Sequence, residues 1–302
     1  MDDRRQWTVT EETTLLPFLR SKIQDKSRNT VKNLLSCRQV MVGERIVTQF
    51  DTPLHPGTKI TLLPKASAGA VELPFAILYE DADLLVVNKP AGLLSMGNEK
   101  ERTRTAYRMA SNYVKARTPG RRIFIVHRLD RDTSGVLLFA KNERMKHRLQ
   151  DNWETLVKRR GYLAVVEGHL PQQEGTVTSY LRETSTHLVY SAPPGRDAKQ
   201  AVTRYRTAAQ AKGYTLVELD LETGRKNQIR VHMQDLGCPI AGDRSYGAKT
   251  DPFGRLALYA HVLALIDPRT KKNISFQIPL PPELKKRFPG TAIHLAEDQT
   301  CQ

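Results

Sequence analysis

The richest concentration of reactive side chains is the stretch His127-Arg128-Leu129-Asp130-Arg131-Asp132-Thr133-Ser134-Gly135, which brings an imidazole, two guanidiniums and two carboxylates together. An ionised carboxylate can attack an electrophilic carbon or remove a proton. Once withdrawn from water it needs a neighbouring cation, because burial alone favours the protonated form. The apolar run Ile123-Phe124-Ile125-Val126 precedes this stretch and Val136-Leu137-Leu138-Phe139 follows it. Short apolar runs bounded by turn residues read as buried strands, so the polar segment is a loop held between two of them. Asp-Thr-Ser-Gly is turn chemistry, with Gly135 able to take a positive φ. Taken alone, that tetrapeptide is equally a surface turn whose Asp and Ser cap backbone donors.

The elements that must hold such a loop are legible on either side. Ile77-Leu78-Tyr79 and Leu84-Leu85-Val86-Val87 flank Glu80-Asp81-Ala82-Asp83 as a hairpin closed by Asn88-Lys89-Pro90-Ala91-Gly92. Residues 100–122 read as a helix followed by an exposed basic loop. Asn142 caps a helix whose Met145, Leu149, Trp153 and Leu156 recur at steps of four, four and three, a core-facing stripe in which Met and Trp pack rather than touch substrate. Alternating runs then predict sheet: Arg160 to Gly168, Ala201 to Tyr205 and Tyr214 to Leu219. Ile229, Val231, Met233 and Leu236, stopped by Gly237, predict a short helix entered from Thr223-Gly224. Strands over Leu258–Leu265 and Ile274–Ile278 and a helix begun by Pro281-Pro282 close the chain.

Composition narrows the partners. The 302 residues suffice for two domains, and 47 Lys and Arg against 32 Asp and Glu leave a formal net charge of +15. That excess suits a polyanion, and nucleic acid fits better than a membrane, since no apolar run approaches the roughly 20 residues of a spanning helix. Met1-Asp2-Asp3-Arg4-Arg5 lacks the apolar stretch of a secretory signal, so the expected location is the cytoplasm. Cys37, Cys238 and Cys301 are odd in number and widely spaced, which predicts reduced thiols and no metal site. No Walker glycine loop or dinucleotide fingerprint is present, and no cofactor is expected.

Several of these motifs, in this order, resemble the RluA-type RNA pseudouridine synthases. The resemblance covers His127-Arg128-Leu129-Asp130 with Thr133-Ser134-Gly135, the hairpin ending in Asn88-Lys89-Pro90-Ala91-Gly92, the Tyr162 strand, Thr223-Gly224-Arg225 with Gln228-Ile229-Arg230-Val231-His232, and Gly242-Asp243 with Tyr246-Gly247. It implies an α+β catalytic domain with a mixed, mainly antiparallel sheet over residues 75–302, acting as a monomer. The family carries its catalytic carboxylate where Asp130 stands, pairs it with an Arg where Arg230 stands, and stacks the base on the residue at Tyr162. Arg128 is placed to fill the stack that an extruded base vacates through its planar guanidinium, and His127, Arg225, Gln228 and Lys89 are expected against the substrate. The chain departs from the pattern with Arg160 for Lys, Asn227 for His and Tyr259 for His.

Residues 13–63 resemble a second family, the S-four-like RNA-binding module. Ser27-Arg28 opens its second helix, over Val31, Leu34 and Leu35, and Val40-x-Val42-Gly43 begins its hairpin. The resemblance implies a small α/β module over residues 1–65, with a linker over 66–74 that contains Ala66-Ser67-Ala68-Gly69-Ala70. Arg20, Lys22, Lys26, Arg28, Lys32, Arg38 and Arg45 would give it a basic face for phosphates. The implied activity is isomerisation of uridine within structured RNA, with large-subunit ribosomal RNA the first expectation and transfer RNA the second. The competing readings are a non-catalytic RNA-binding assembly factor, and a sugar hydrolase using Asp130 and Asp132, for which no second, separately tuned carboxylate is evident.

Overall fold

The computed structural model describes residues 5–36, 39–63, 73–99, 101–118 and 120–294. Cys37, Arg38, Cys301 and the predicted linker at Ala66–Ala70 lie outside the described residues. The chain divides into two compact units, one of residues 1–74 with 108–123, the other of residues 75–107 with 124–302. The grouping of 108–123 with the first unit differs from the contiguous division that the sequence suggests.

In the first unit, β1 (Arg5–Thr8), β2 (Thr13–Thr14), α1 (Leu15–Lys22), α2 (Arg28–Ser36), β3 (Val40–Val42), β4 (Arg45–Ile46), β5 (Pro53–Leu54) and β6 (Lys59–Leu62) follow in order. Ser27 caps α2 as its position predicts: its Oγ accepts from the Thr30 N–H at 3.2 Å. Val31 and Leu35 share a small core with Leu15, Leu19, Val40 and Ile60. A four-stranded sheet runs β1-β6-β3-β4, and its edge strand β1 falls outside the stretch read from sequence.

The second unit is built on one eleven-stranded sheet. Its elements are β7 (Ile77–Glu80), β8 (Leu84–Lys89), the start of α3 (Ala106–Arg117), β9 (Phe124–Ile125), β10 (Ser134–Ala140), α4 (Glu143–Gln150), α5 (Trp153–Leu156), β11 (Val157–Glu167), β12 (Glu174–Glu183), β13 (Val189–Ala192), β14 (Lys199–Ala211), β15 (Tyr214–Leu221), α6 (Gln228–Asp235), β16 (Leu258–Ile266), β17 (Asn273–Gln277) and α7 (Pro282–Arg287). The strand order is β13-β12-β14-β15-β11-β16-β10-β8-β7, with β17 on β16 and β9 on β10. Every pairing is antiparallel except β10 with β16, where Ser134 faces Tyr259 and Gly135 faces Ala260 in parallel. The expected mixed, mainly antiparallel sheet is therefore present. Gly135 has φ +120, and a Cβ there would collide with the Ala260 carbonyl, so the close parallel contact needs glycine. The long apolar strands supply the core, including Leu138, Leu163, Val165, Leu216 and Leu258.

One predicted element divides. The stripe from Met145 to Leu156 is not a single helix, because α4 ends at Gln150 and α5 restarts at Trp153 after Asp151-Asn152. Asn142 caps α4 as expected, accepting from the Met145 N–H at 2.8 Å. All four stripe residues still pack on the core.

Candidate active site

The loop between β9 and β10 is fixed at three points by side chains whose reach the sequence does not display. β9 is too short to pair along all of β10, and the imidazole of His127 replaces the missing strand: the Leu138 N–H donates to Nε2 at 3.0 Å. The ring also stacks on Trp153 with centroids 5.1 Å apart. Burial, aided by the Arg160 charge, depresses its pKa to about 4, so the ring is neutral with its proton on Nδ1. Ser95 brackets Leu129, donating to its carbonyl at 2.7 Å and accepting from its N–H at 3.0 Å. Lys89 is fully buried at the end of β8 and donates to the carbonyls of Pro90, Leu93 and Arg131 at 2.9, 2.7 and 3.0 Å. Three ammonium donors meet three acceptors, which leaves none for a substrate. Burial lowers its pKa to about 8 against the pull of Asp132 and Asp130. His127 and Lys89, both expected against the substrate, are engaged here in supporting the loop.

Opposite this loop stands the turn that feeds α6. Gln228, also expected against substrate, is buried and fully engaged: Oε1 accepts from Thr223 Oγ1 and the Arg225 N–H, and Nε2 donates to the Val202 carbonyl and Thr203 Oγ1, all at 2.7–3.0 Å. Its amide shapes the turn. Arg225 remains exposed, with Nε donating to the Gln200 carbonyl at 3.0 Å. Arg160 reaches under the same turn, its Nη2 donating to the Glu222 carbonyl at 2.6 Å.

Asp130 lies on the β9–β10 loop and faces the turn. Burial pushes its carboxyl above the usual range, while Arg230, the backbone N–H of Asn227, Arg128 and Lys226 act against that shift. Arg230 does not bind Asp130 directly. Its fork is bidentate on Asp243, with Nε to Oδ2 at 2.6 Å and Nη2 to Oδ1 at 2.7 Å, while Nη1 donates to Asn227 Oδ1 at 3.1 Å. Its guanidinium lies 4.6 Å from the Tyr246 ring centroid. The resemblance expects this Arg to pair with the catalytic carboxylate; here its Nε–Nη2 edge is matched to Asp243 and its Nη1 to Asn227, and Arg230 bears on Asp130 through its charge. Tyr162 sits on β11 between Leu219 of β15 and Ala260 of β16. Burial raises its phenol to about 12, with Arg160 opposing and Asp130 adding to the rise, so it presents a neutral ring. Arg128 is exposed beside the carboxylate.

Asp243, Tyr246 and Ser95 are the supports that residue-by-residue reading missed. The first two stand in the recognised stretch Gly242 to Gly247, which is the signal that could have found them; Ser95 has none. Tyr259, the other departure noted in sequence, is buried and donates its hydroxyl to Glu283 Oε1 at 3.1 Å. A half-buried carboxylate facing cations, with a neutral aromatic ring on β11 beside it, can act at a sugar carbon or its neighbouring C–H while a flat base rests on the ring.

Known proteins agree with this architecture. The sequence family described as RNA pseudouridylate synthase matches residues 83–235. The RNA pseudouridine synthase YlyB of Bacillus subtilis is 37% identical over 279 residues, spanning 88% of this chain and 90% of its own. Ribosomal large subunit pseudouridine synthase D of Buchnera aphidicola is 32% identical over 295 residues, spanning 90% and 92%. The solved structure of human RNA pseudouridylate synthase domain containing 4 has a TM-score of 0.58 and 26% identity, covering 69% of this chain and 89% of its own. With the sheet, the Asp130 loop and the α6 turn in place, the chain belongs to the RluA-type RNA pseudouridine synthases, isomerases that convert uridine in RNA to pseudouridine.

Proposed function

We propose that this enzyme modifies large-subunit ribosomal RNA in the cytoplasm, acting as a monomer, with Asp130 as its reacting carboxylate. The observation that carries the assignment is the setting of Asp130: a half-buried carboxylate whose upward shift is opposed by Arg230, the Asn227 N–H, Arg128 and Lys226, while the fork of Arg230 is committed to Asp243. A structural carboxylate would have taken that fork for itself. The ribosomal target is supported by the Buchnera relative, whose name specifies the large subunit.

The isomerisation breaks the N1–C1′ bond, turns the base and joins C5 to C1′. No oxidation occurs and no phosphate is spent. Because the glycosidic bond lies within stacked RNA, the base is extruded against Tyr162, and Arg128 fills its place through the planar guanidinium. Arg225, exposed on the turn, contacts the RNA backbone. The first unit, read as an S-four-like module, adds phosphate contacts through exposed Arg20, Lys22, Lys26 and Arg28.

The test is pseudouridine mapping of ribosomal RNA from cells lacking the gene. A missing site should return with the wild-type gene and stay missing with Asp130→Asn, while purified Asp130→Asn still retains the RNA. An unchanged ribosomal map would overturn the target, and full turnover by Asp130→Asn would overturn the role of the carboxylate.

A further inference from the structure

Asn227 has two unusual properties at one position. It is the N-cap of α6, yet its backbone is left-handed, with φ 54 and ψ 17, and its side chain caps nothing. An N-cap ordinarily has extended backbone and accepts from the first helical turn. Asn tolerates the left-handed region better than most residues, but it forgoes that capping bond here, and such exceptions persist where the surroundings require them.

The surroundings show what the conformation provides. The Asn227 N–H faces Asp130 and favours its charged form. Its side chain faces the other way: Oδ1 accepts from Arg230 Nη1 at 3.1 Å, and Nδ2 donates to the Tyr246 hydroxyl at 3.0 Å. That hydroxyl is buried and also accepts from the Val189 N–H of β13 at 3.2 Å. Tyr246 supports the face of Arg230 as well. Lys226, next in the chain, is held by Glu183 Oε1 at 2.6 Å and by the His187 carbonyl at 3.1 Å. The turn is therefore anchored on both sides of Asn227 by the β12–β13 hairpin.

We propose that Asn227 is the positioning residue of the reaction centre, its left-handed backbone aiming an N–H at Asp130 while its amide fixes the orientation of Arg230 against Tyr246. The inference rests on the reading of Asp130 as the reacting carboxylate. Asn227 itself touches neither base nor sugar; it sets the donor and the cation that Asp130 meets.

Four variants test this in the full-length enzyme, through single-turnover modification and RNA affinity measured across pH. Asn227→Gly retains access to positive φ and loses the amide bridge. Its rate should fall roughly ten- to a hundredfold, the loss expected for a hydrogen bond serving a charged group, with RNA affinity unchanged. Its acidic limb should move to higher pH, because Asp130 loses support for its charge. The titratable and charged groups facing Asp130 are Arg230, Arg128, Lys226, Lys89 and Tyr162; none of them is itself replaced, and of these only Arg230 loses a bond to Asn227. Asn227→Ala should be slower still, since alanine resists the left-handed backbone. Tyr246→Phe keeps the ring under Arg230 but removes the hydroxyl, and its effect should be non-additive with Asn227→Gly. A wild-type rate and acidic limb in Asn227→Gly would overturn the proposal, as would full additivity with Tyr246→Phe. Asp130→Asn, assayed alongside, separates the two claims: if it is active, the reading of the carboxylate has failed, and if it is inactive while Asn227→Gly is normal, only the positioning role has.

Discussion

Two arginine-centred clusters lie in the sheet unit, and they are built to opposite balances of charge. Arg269 is shared by three carboxylates: Nε and Nη2 bind Asp267 at 2.6–3.1 Å, and Nη1 reaches Asp81 at 2.7 Å and Asp83 at 3.0 Å. This staple joins the β7–β8 turn to the β16–β17 turn. Arg230 has one carboxylate, an amide oxygen and an aromatic face, and Arg128 and Lys226 act with it on Asp130. Where anions are in excess, the arginine is consumed by structure. Where cations are in excess, they face one half-buried carboxylate, Asp130, and their field opposes the upward shift that burial imposes on it.

Substitution at the two arginines should sharpen this contrast. Arg230→Lys keeps the charge but cannot reproduce the bidentate fork, the Asn227 contact and the ring stack together. Single-turnover rate should fall about ten- to a hundredfold, in line with loss of a charge-assisted bond, with residual activity displaced to higher pH. A wild-type profile would make Arg230 as structural as Arg269.

The complementary change, Arg269→Met, should cost about 2–3 kcal/mol in urea unfolding at neutral pH, less than a fully buried pair because the cluster is partly exposed. Rate per folded molecule should be unchanged, and a matching loss of rate would break the comparison. Burial raises the Asp81 and Asp267 carboxyls, but the backbone N–H groups and Arg269 outweigh it and hold both low. Stability from a depressed carboxyl is present above its unfolded pKa and lost as pH falls through the folded one. The penalty of Arg269→Met should therefore shrink in strong acid, below about pH 3.8.

A separate effect precedes that one on acidification. His127, His232 and His261 all have pKa values lowered to about 4, in each case chiefly by burial. Between their ordinary value near 6.5 and about 4, the unfolded chain binds protons that the folded chain does not, so stability should decline as pH falls through this window. Urea midpoints at pH 7 and pH 5 check it, and both arginine variants should share the decline. Equal midpoints in the wild type would show that these rings titrate freely.

What the sequence displayed was mostly local. Ser27 and Asn142 cap their helices because capping depends on residues three apart, and the turn at Gly135 was visible for the same reason. The Met145 to Leu156 stripe kept its face although the helix broke, since periodicity reports burial and not continuity. What the sequence did not display has a cause. Lys89 and Gln228 carry polar groups that suggest solvent or ligand, and their partners come from distant segments: Arg131 for the ammonium, Val202 and Thr203 for the amide. Family resemblance points to Asp130 and Arg230 as a pair, and Asp243, which it did not assign a role, holds the Arg230 fork. Pattern identifies which residues meet at a site, and only packing decides which of them are already occupied.

The close passage of β10 beside β16 has a consequence for how this chain tolerates mutation. Position 92 also has positive φ, +78, but no atom lies within 4 Å of where a Cβ would stand. Asn or Asp can replace glycine there at the modest cost of a left-handed backbone. At position 135 even a methyl group has nowhere to go, because the obstruction is the Ala260 backbone and no side chain can move aside. Relieving it would separate the two strands immediately after the loop that carries Asp130. In a library of random substitutions, variants at 135 should disappear under selection for activity while variants at 92 persist, although both positions look alike by dihedral angle.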